Sequence, residues 1–315
     1  MEYLELGHTG LKVSHLCFGA LVIGTLQAKM SPLEGGKIIA KALELGVNFI
    51  DTAELYETYA HIREAIKMSS INPVISTKSY AYDVETAKKS LEKARKEIDR
   101  DYIDIFMLHE QESIHTLRGH REALEYFIEA KEKGIVKAVG VSTHNIEVVK
   151  ACTKTPEIDV VHPLVNMTGI GIGDGTIYEM LDAVKECYNA GKGIYSMKAL
   201  GGGNLIRSYK ECMDFVLKIP YIHSIAVGMQ TVEEVEMNVC VFNKDEVPSN
   251  ILDSVGKKNR KLHIDFWCEG CGKCVYRCKQ EALEIIGDKA VVNKEKCVLC
   301  GYCSSVCPVF AVKIF

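Results

Sequence analysis

The stretch PVISTKSYAYDVETAKKSLEKARKEIDRDYIDIFMLH, residues 73–109, decides how the chain folds. It opens on the short apolar run PVISTK and closes on a second, YIDIFMLH. Between them, VETAKKSLEKARKEID puts Val84, Ala87, Leu91 and Ile98 on one face of a helix and charged residues on the others. Asp83 stands where a helix N-cap belongs. An apolar run, an amphipathic helix and a second apolar run make a β–α–β unit, which predicts parallel strands joined by a covering helix.

The same alternation extends in both directions, from about residue 16 to about residue 242. Further strands are expected in HLCFG, VNFID, VKAVGVS, IDVVHPL, GIYSMK and HSIAVG. Further helices are expected in LEGGKIIAKALELG, HREALEYFIEAKEKG, TIYEMLDAVKECYNAG, YKECMDFVLKI and VEEVEMNVCVF. Gly46, Gly134 and Gly191 fall where helices should stop. Eight strand-then-helix units in about 225 residues predict an α/β chain folded as a (β/α)8 TIM barrel, with a doubly wound sheet as the runner-up. The leading EYLELGHTGLKV reads as a hairpin turning at His8, Thr9 and Gly10, placed to plug the barrel floor.

Composition sets the limits. The chain has 315 residues, 47% hydrophobic and 25% charged, with a net charge of −4, which gives no footing for nucleic-acid binding. No apolar run approaches the roughly 18–20 residues of a membrane span, and the N-terminus lacks the basic and apolar regions of a signal peptide. A cytoplasmic protein without membrane contact is expected. Its thirteen cysteines are therefore expected as thiols or metal ligands rather than disulfides. Cys17, Cys152, Cys187, Cys212 and Cys240 stand singly among apolar residues and read as small core side chains.

The other eight are clustered. CEGCGKCVYRCK, 268–279, and CVLCGYCSSVCP, 297–308, each carry C-x2-C-x2-C-x3-C. This repeat resembles the two-cluster bacterial-type ferredoxins, in which each fourth cysteine ligates the other cluster. The resemblance implies two 4Fe–4S clusters: Cys268, Cys271, Cys274 and Cys307 hold the first, and Cys297, Cys300, Cys303 and Cys278 the second. Three thiolates spaced by two fit a single tetrahedral zinc poorly. Gly272 and Gly301 let the loops curl around a cube. Pro308 follows Cys307 as the pattern requires, whereas Lys279 follows Cys278. Lys273, Arg277 and Lys279 are expected to favour the reduced, more negative cluster. The domains are then a barrel over 1–245, a linker over 246–265 and a small α+β ferredoxin-like domain over 266–315. The KKNRK run at 257–261 reads as solvated surface.

In a barrel, chemistry gathers at the C-terminal ends of strands. The residues expected there are Asp51, Lys78, His109, Ser142, His162, Lys198 and Gly228, with Tyr56 close by. A tyrosine beside a lysine is a general acid whose phenolate the ammonium stabilises, which predicts a lowered pKa for Tyr56. Asp51 would hold Lys78 charged, and His109 would orient a carbonyl or share the proton. Any hydride must come from a cofactor, since no side chain supplies one.

FIDTAELY, STK, DIFMLH, VGVSTHN and VGMQTVEEVEMN occur in an order that resembles the aldo-keto reductase family over residues 3–242. A subset of that family carries a C-terminal ferredoxin-like module, and this chain is similar to it. The resemblance implies a barrel binding NADP or NAD, with Asp51, Tyr56, Lys78 and His109 as catalytic residues. It implies cofactor contacts from Gly19, Ser142, His162, Met197, Lys198, Gly228, Glu234 and Asn238, with KALGGG, 198–203, as the pyrophosphate loop. There are departures from the family pattern. His162 stands for the usual Gln, Met197 for a stacking Tyr, Glu234 for an Arg facing the 2′-phosphate, and Glu57 for the Gly after the tyrosine. EQESIHTLRGHRE, after His109, supplies little of a substrate lid, and His115 and His120 read as surface residues.

Hydride moves as an electron pair and each cluster moves one electron, so coupling the two halves needs a mediator such as a flavin or a radical-type step. The expected function is an oxidoreductase whose barrel carries out NAD(P)(H)-linked reduction of a small carbonyl, or oxidation of an alcohol, while the two 4Fe–4S clusters exchange electrons with a redox partner or mediator. The alternative is an electron-transfer or redox-sensing protein whose barrel binds dinucleotide without turnover. A third is that the clusters only staple a segment too small to fold alone.

Overall fold

The computed structural model describes residues 1–315. Eight parallel strands close into a barrel: Leu16–Gly19, Phe49–Asp51, Val74–Ser79, Ile103–Leu108, Val136–Thr143, Val160–Pro163, Gly193–Ser196 and Ser224–Gly228. The last strand returns to the first, with Ile225 beside Leu16 and Gly228 beside Gly19. Every strand coincides with one of the apolar runs. Strands covered by helices outside and packed side chains inside are buried on both faces, so they read as continuous apolar runs. All six residues of Ile103–Leu108 are buried.

Helix Val84–Ile98 starts on a capping box in which Asp83 accepts from the Thr86 amide and Thr86 from the Asp83 amide. Gly46, Gly134 and Gly191 all have positive φ just past helix ends. Two barrel helices, Tyr59–Met68 and Ile146–Thr153, have no counterpart among the expected helices. The first has its apolar stripe interrupted by the buried His61, and the second is only eight residues long.

The N-terminal hairpin pairs Tyr3–Glu5 with Lys12–Ser14. Its Leu6, Leu11 and Val13 pack against Phe49, Ile105 and Tyr195, closing the floor. Of the five scattered cysteines, four are buried and Cys240 is half-buried, so they do serve as core side chains.

The polar stretch 246–265 is more ordered than a plain linker. It forms helix Ser249–Gly256 and strand Leu262–Ile264, which pairs antiparallel with Val312–Ile314 near the chain end. Leu283–Ile286 and Lys289–Val292 form a second ribbon. The core of this C-terminal domain is seven buried residues, two of them Cys274 and Cys303. A core that small gives little hydrophobic stabilisation, and such domains depend on staples. This one also leans on the barrel: Arg207 donates to the Val298 carbonyl at 2.8 Å and Asn204 to that of Val312 at 3.2 Å. No helix is long and apolar enough to cross a membrane.

Candidate active site

Asp51 ends the second barrel strand, Lys78 lies in the third and His109 follows the fourth. Their strand ends put all three at one mouth of the barrel. Tyr56 arrives on the short turn Glu54–Tyr56, which closes on Glu57 in the left-handed conformation (φ 55°, ψ 39°) for which glycine is the usual choice.

Lys78 is 1% exposed and donates to Asp51 Oδ1 and to the Thr52 carbonyl, each at 2.7 Å. Its ammonium lies 5.1 Å from the centre of the Tyr56 ring. Tyr56 Oη lies 3.4 Å from His109 Nε2. These four side chains do come together.

The electrostatics differ from the expectation. Burial, followed by the carboxylates of Asp51 and Glu110, pushes the Tyr56 phenol well above its ordinary value. Lys78 does not reverse this, because its charge is already answered by Asp51 and Thr52. Tyr56 is therefore held as a neutral phenol, able to donate a proton and poorly able to lose it unprompted. Burial and the neighbouring Lys78 ammonium hold His109 well below its usual value, so the imidazole is neutral. Its Nδ1 is buried without a partner.

Several neighbours escaped the sequence reading. Tyr195 donates to Asp51 Oδ1 at 2.7 Å, bonds Ser76 at 2.8 Å and stacks on His162 at 3.9 Å between ring centres. Tyr80 stacks on His109 at 4.5 Å and donates to Glu110 at 2.7 Å. His144 lies 2.7 Å from Lys198 Nζ and 3.4 Å from Glu110. A period-2 signal was available: Tyr80 is two residues beyond Lys78, His144 two beyond Ser142 and Tyr195 two before Met197. Along a strand such pairs share a face.

The eight cysteines can be judged as a cluster site. Burial raises the Cys274 thiol, and the next influence is Cys307, followed by Cys268, so the crossed fourth ligand lies beside the first set. Cys303 is pushed up to about 12 by burial, then by Cys300, Cys274 and Cys297. Backbone amides of Ala290, Ala311 and Ala282 donate to the sulfurs of Cys268, Cys307 and Cys278 at 3.4, 3.2 and 3.4 Å. Gly272 and Gly301 have φ of 76° and 78°, which gives the loops their tight turn. No three His, Cys, Asp or Glu side chains converge as ligands of one ion; a cube places each thiolate on its own iron. The donor set fits the clusters. The amide donors favour added negative charge on the sulfurs. Lys273, Arg277 and Lys279 are exposed, so water and salt weaken the influence expected of them.

The two halves border one chamber of about 1390 Å³, partly open to solvent, walled by Tyr56, Lys78 and His109 of the barrel and by Trp267, Cys300 and Cys307 of the C-terminal domain. The segment after His109 is indeed short, and His115 is exposed while His120 bonds its own helix. The C-terminal domain is the roof.

Six of the residues expected to hold a dinucleotide, all but Ser142 and Asn238, line a groove that adjoins the chamber and shares Tyr56, Met197, Lys198 and Lys313 with it. Gly19 and Gly228 stand side by side, and Met197, His162 and Lys198 follow along the wall. His162 bonds the Tyr195 carbonyl at 2.6 Å, and its pKa is lowered to about 4, chiefly by burial. Burial, then the Lys313 ammonium, lowers Lys198 to about 7. Ser142 accepts from the Glu110 amide at 2.8 Å and faces the chamber. Asn238 donates to the Glu234 carbonyl at 2.7 Å and accepts from Tyr209 at 2.9 Å. Glu234 accepts from Lys258 and the Gln230 amide, each at 2.7 Å. Lys258, expected in solvent, is thus clasped to the barrel. Lys313, Ile314 and Phe315 also enter this groove, which retains only about 190 Å³. Ligand pockets commonly run to about 300–1,000 Å³. Beside them the groove itself is smaller than such a pocket.

A model of the aldo/keto reductase family matches residues 15–216, and a 4Fe-4S dicluster domain matches residues 267–311. An L-galactose dehydrogenase from Arabidopsis thaliana is 22% identical over 304 residues, covering 83% of this chain and 92% of that enzyme. A methylglyoxal reductase from Escherichia coli is 27% identical over 171 residues, covering 51% of this chain and 62% of that one. In structure, an aldo-keto reductase from Bacillus halodurans superposes with a TM-score of 0.65 at 19% identity, over 82% of this chain and 96% of that one. At that identity the likeness shows the fold alone.

Proposed function

The chain belongs to the aldo/keto reductase family and ends in a 4Fe-4S dicluster domain, and on that premise we propose that it interconverts a small carbonyl compound and its alcohol in the chamber between its two halves. Electrons are exchanged through the C-terminal domain with a one-electron redox partner or a flavin-like mediator. The observation that carries this reading is the shared chamber, walled on one side by Tyr56, Lys78 and His109 and on the other by Cys300 and Cys307.

Reduction of a carbonyl to an alcohol consumes two electrons, drawn from the reduced partner or mediator, and two protons, one given to oxygen by Tyr56 and one taken up at carbon from solvent. When loaded, the clusters store and pass one electron each. The protein's own part is positioning and proton supply. The neutral imidazole of His109 and the phenol of Tyr56, 3.4 Å apart, are placed to share one carbonyl oxygen seated beside them. Tyr56 gives its proton only as that oxygen gains charge, because burial and the nearby carboxylates oppose free phenolate. Lys78 is held beside the Tyr56 ring by Asp51 and Thr52, with Tyr195 steadying Asp51, so it keeps the geometry of the four side chains. The roof covers part of the chamber and so reduces its contact with bulk water, which strengthens these interactions. The alternative of a barrel that binds dinucleotide without turnover has less support, because chain-terminal residues fill the groove it needs.

The test is anaerobic. Cluster-loaded protein is reduced with dithionite, freed of excess and mixed with methylglyoxal, and the same protein with oxidised clusters is mixed with L-galactose, as probes of the two directions. Cluster absorbance and product are followed together. Probe-dependent change in the wild type, lost by 10²-fold or more in Tyr56→Phe with unaltered cluster spectra, is the expected result. Equal rates in both proteins would remove Tyr56 from the chemistry and the proposal with it.

A further inference from the structure

The groove described above has an occupant built into the chain. At its centre, a β-carbon on Gly203 (φ +85°) would overlap the carbonyl oxygen of Ile314, so the expected pyrophosphate loop and the last strand meet backbone to backbone. Asn204, the next residue, donates its side-chain amide to the Val312 carbonyl. At the far end, Lys258 closes on Glu234 at 2.7 Å. The backbone of Lys261 exchanges hydrogen bonds of 2.8 and 3.1 Å with that of Phe315, tying the interdomain segment and the chain end into one clasp.

We infer that the segment 312–315 is the resident occupant of the barrel's dinucleotide groove, and that a nicotinamide dinucleotide binds only by displacing it. The exclusion is geometric: the loop that would cradle the diphosphate is already in contact with Ile314, and the carboxylate at the adenosine end is already paired. The charges agree. With the strand seated, burial and then the ammonium of Lys313 disfavour the charge on Lys198. With the strand gone, Lys198 regains its charge facing an emptied groove, which suits a diphosphate. The inference does not depend on the carbonyl chemistry proposed above, and its test reads binding rather than turnover.

Binding of NADPH and of NADH is measured by titration calorimetry on the anaerobic, cluster-loaded full chain. The same titrations are made on a chain ending at Lys313 and on the double variant Lys258→Ala/Phe315→Ala. The double variant leaves the C-terminal domain's buried residues in place should the shortened chain fail to hold its clusters. Hydrogen exchange of residues 262–264 and 312–315 is followed with and without nucleotide. The expected result is at least tenfold tighter binding by the opened variants. Where the wild type binds at all, amides in both strands should exchange faster in the complex. Equal affinity in all three proteins overturns the inference. So does binding by the wild type with those amides still protected, and so does a failure of every variant to bind either nucleotide.

Discussion

Replacing Lys78 by Met tests whether the tetrad rests on a buried ion pair. Lys78 and Asp51 are 2.7 Å apart and almost wholly buried. At an effective dielectric of 20, unit charges at that distance attract by about 6 kcal/mol, much of it offset by desolvation. Lys78→Met leaves a buried carboxylate without its cation. That carboxylate can escape by taking up a proton, which for an ordinary carboxyl group at pH 7 costs about 4 kcal/mol and so caps the loss. Tyr195 still donates to it, so a loss of about 3 kcal/mol is expected. For a barrel of this size that corresponds to a fall in melting temperature of about 6–12 °C. The signature is reversal by pH and by a second substitution. Between pH 4 and 7 the folded variant retains a proton that the unfolded chain gives up, so its deficit shrinks as the pH falls. Asp51→Asn/Lys78→Met removes both charges and should regain most of the loss. The assay is thermal unfolding followed by circular dichroism in cluster-loaded protein at pH 5 and pH 7. A double variant no more stable than Lys78→Met, with a deficit that ignores pH, would refute the reasoning.

Three further outcomes follow from the same contacts. Tyr195→Phe removes a donor to Asp51 and the partner of Ser76, and should cost about 1.5–3 kcal/mol in the same unfolding assay; a loss under about 0.5 kcal/mol would mean the hydroxyl is not holding Asp51. Lys198, lowered to about 7, binds fewer protons folded than unfolded from pH 7 to its ordinary value near 10.4, so stability rises with pH across that window and the penalty is complete below it. Lys198→Met should therefore gain more at pH 6 than at pH 9, by about 2 kcal/mol once contact with water in the chamber is allowed for, and parallel pH profiles would contradict this. Cys307→Ala should lower bound iron to about half with the barrel's dichroism intact, since Cys307 lies with Cys274 and Cys268; unchanged iron content would exclude the crossed ligation.

The roof changes how the barrel must be regarded. Barrels of this kind build their active sites from loops at the C-terminal face. Here the loop after His109 is short, and the covering is done by a domain whose own core is too small to stand alone. That dependence runs both ways. The C-terminal domain gains a platform through Asn204, Arg207 and Glu234, and the barrel gains a roofed chamber. Loss of the clusters should therefore loosen the barrel mouth as well as the domain that carries them.

The eight apolar runs, their spacing and the tetrad at the strand ends were all legible in the chain. Strand burial, helix periodicity and cysteine spacing are local or periodic properties, and a one-dimensional pattern records them. The left-handed Glu57, the direction of the Tyr56 shift and the service of Tyr195 to Asp51 were not legible. Each depends on which charges and rings meet across the barrel, up to 144 residues apart in the case of Tyr195 and Asp51. The dinucleotide segments illustrate the divide most sharply. Their motifs are present in order, yet the last residues of the chain lie in the groove they form. A motif records what a surface would bind when free, and only the packing of distant segments decides whether that surface is free.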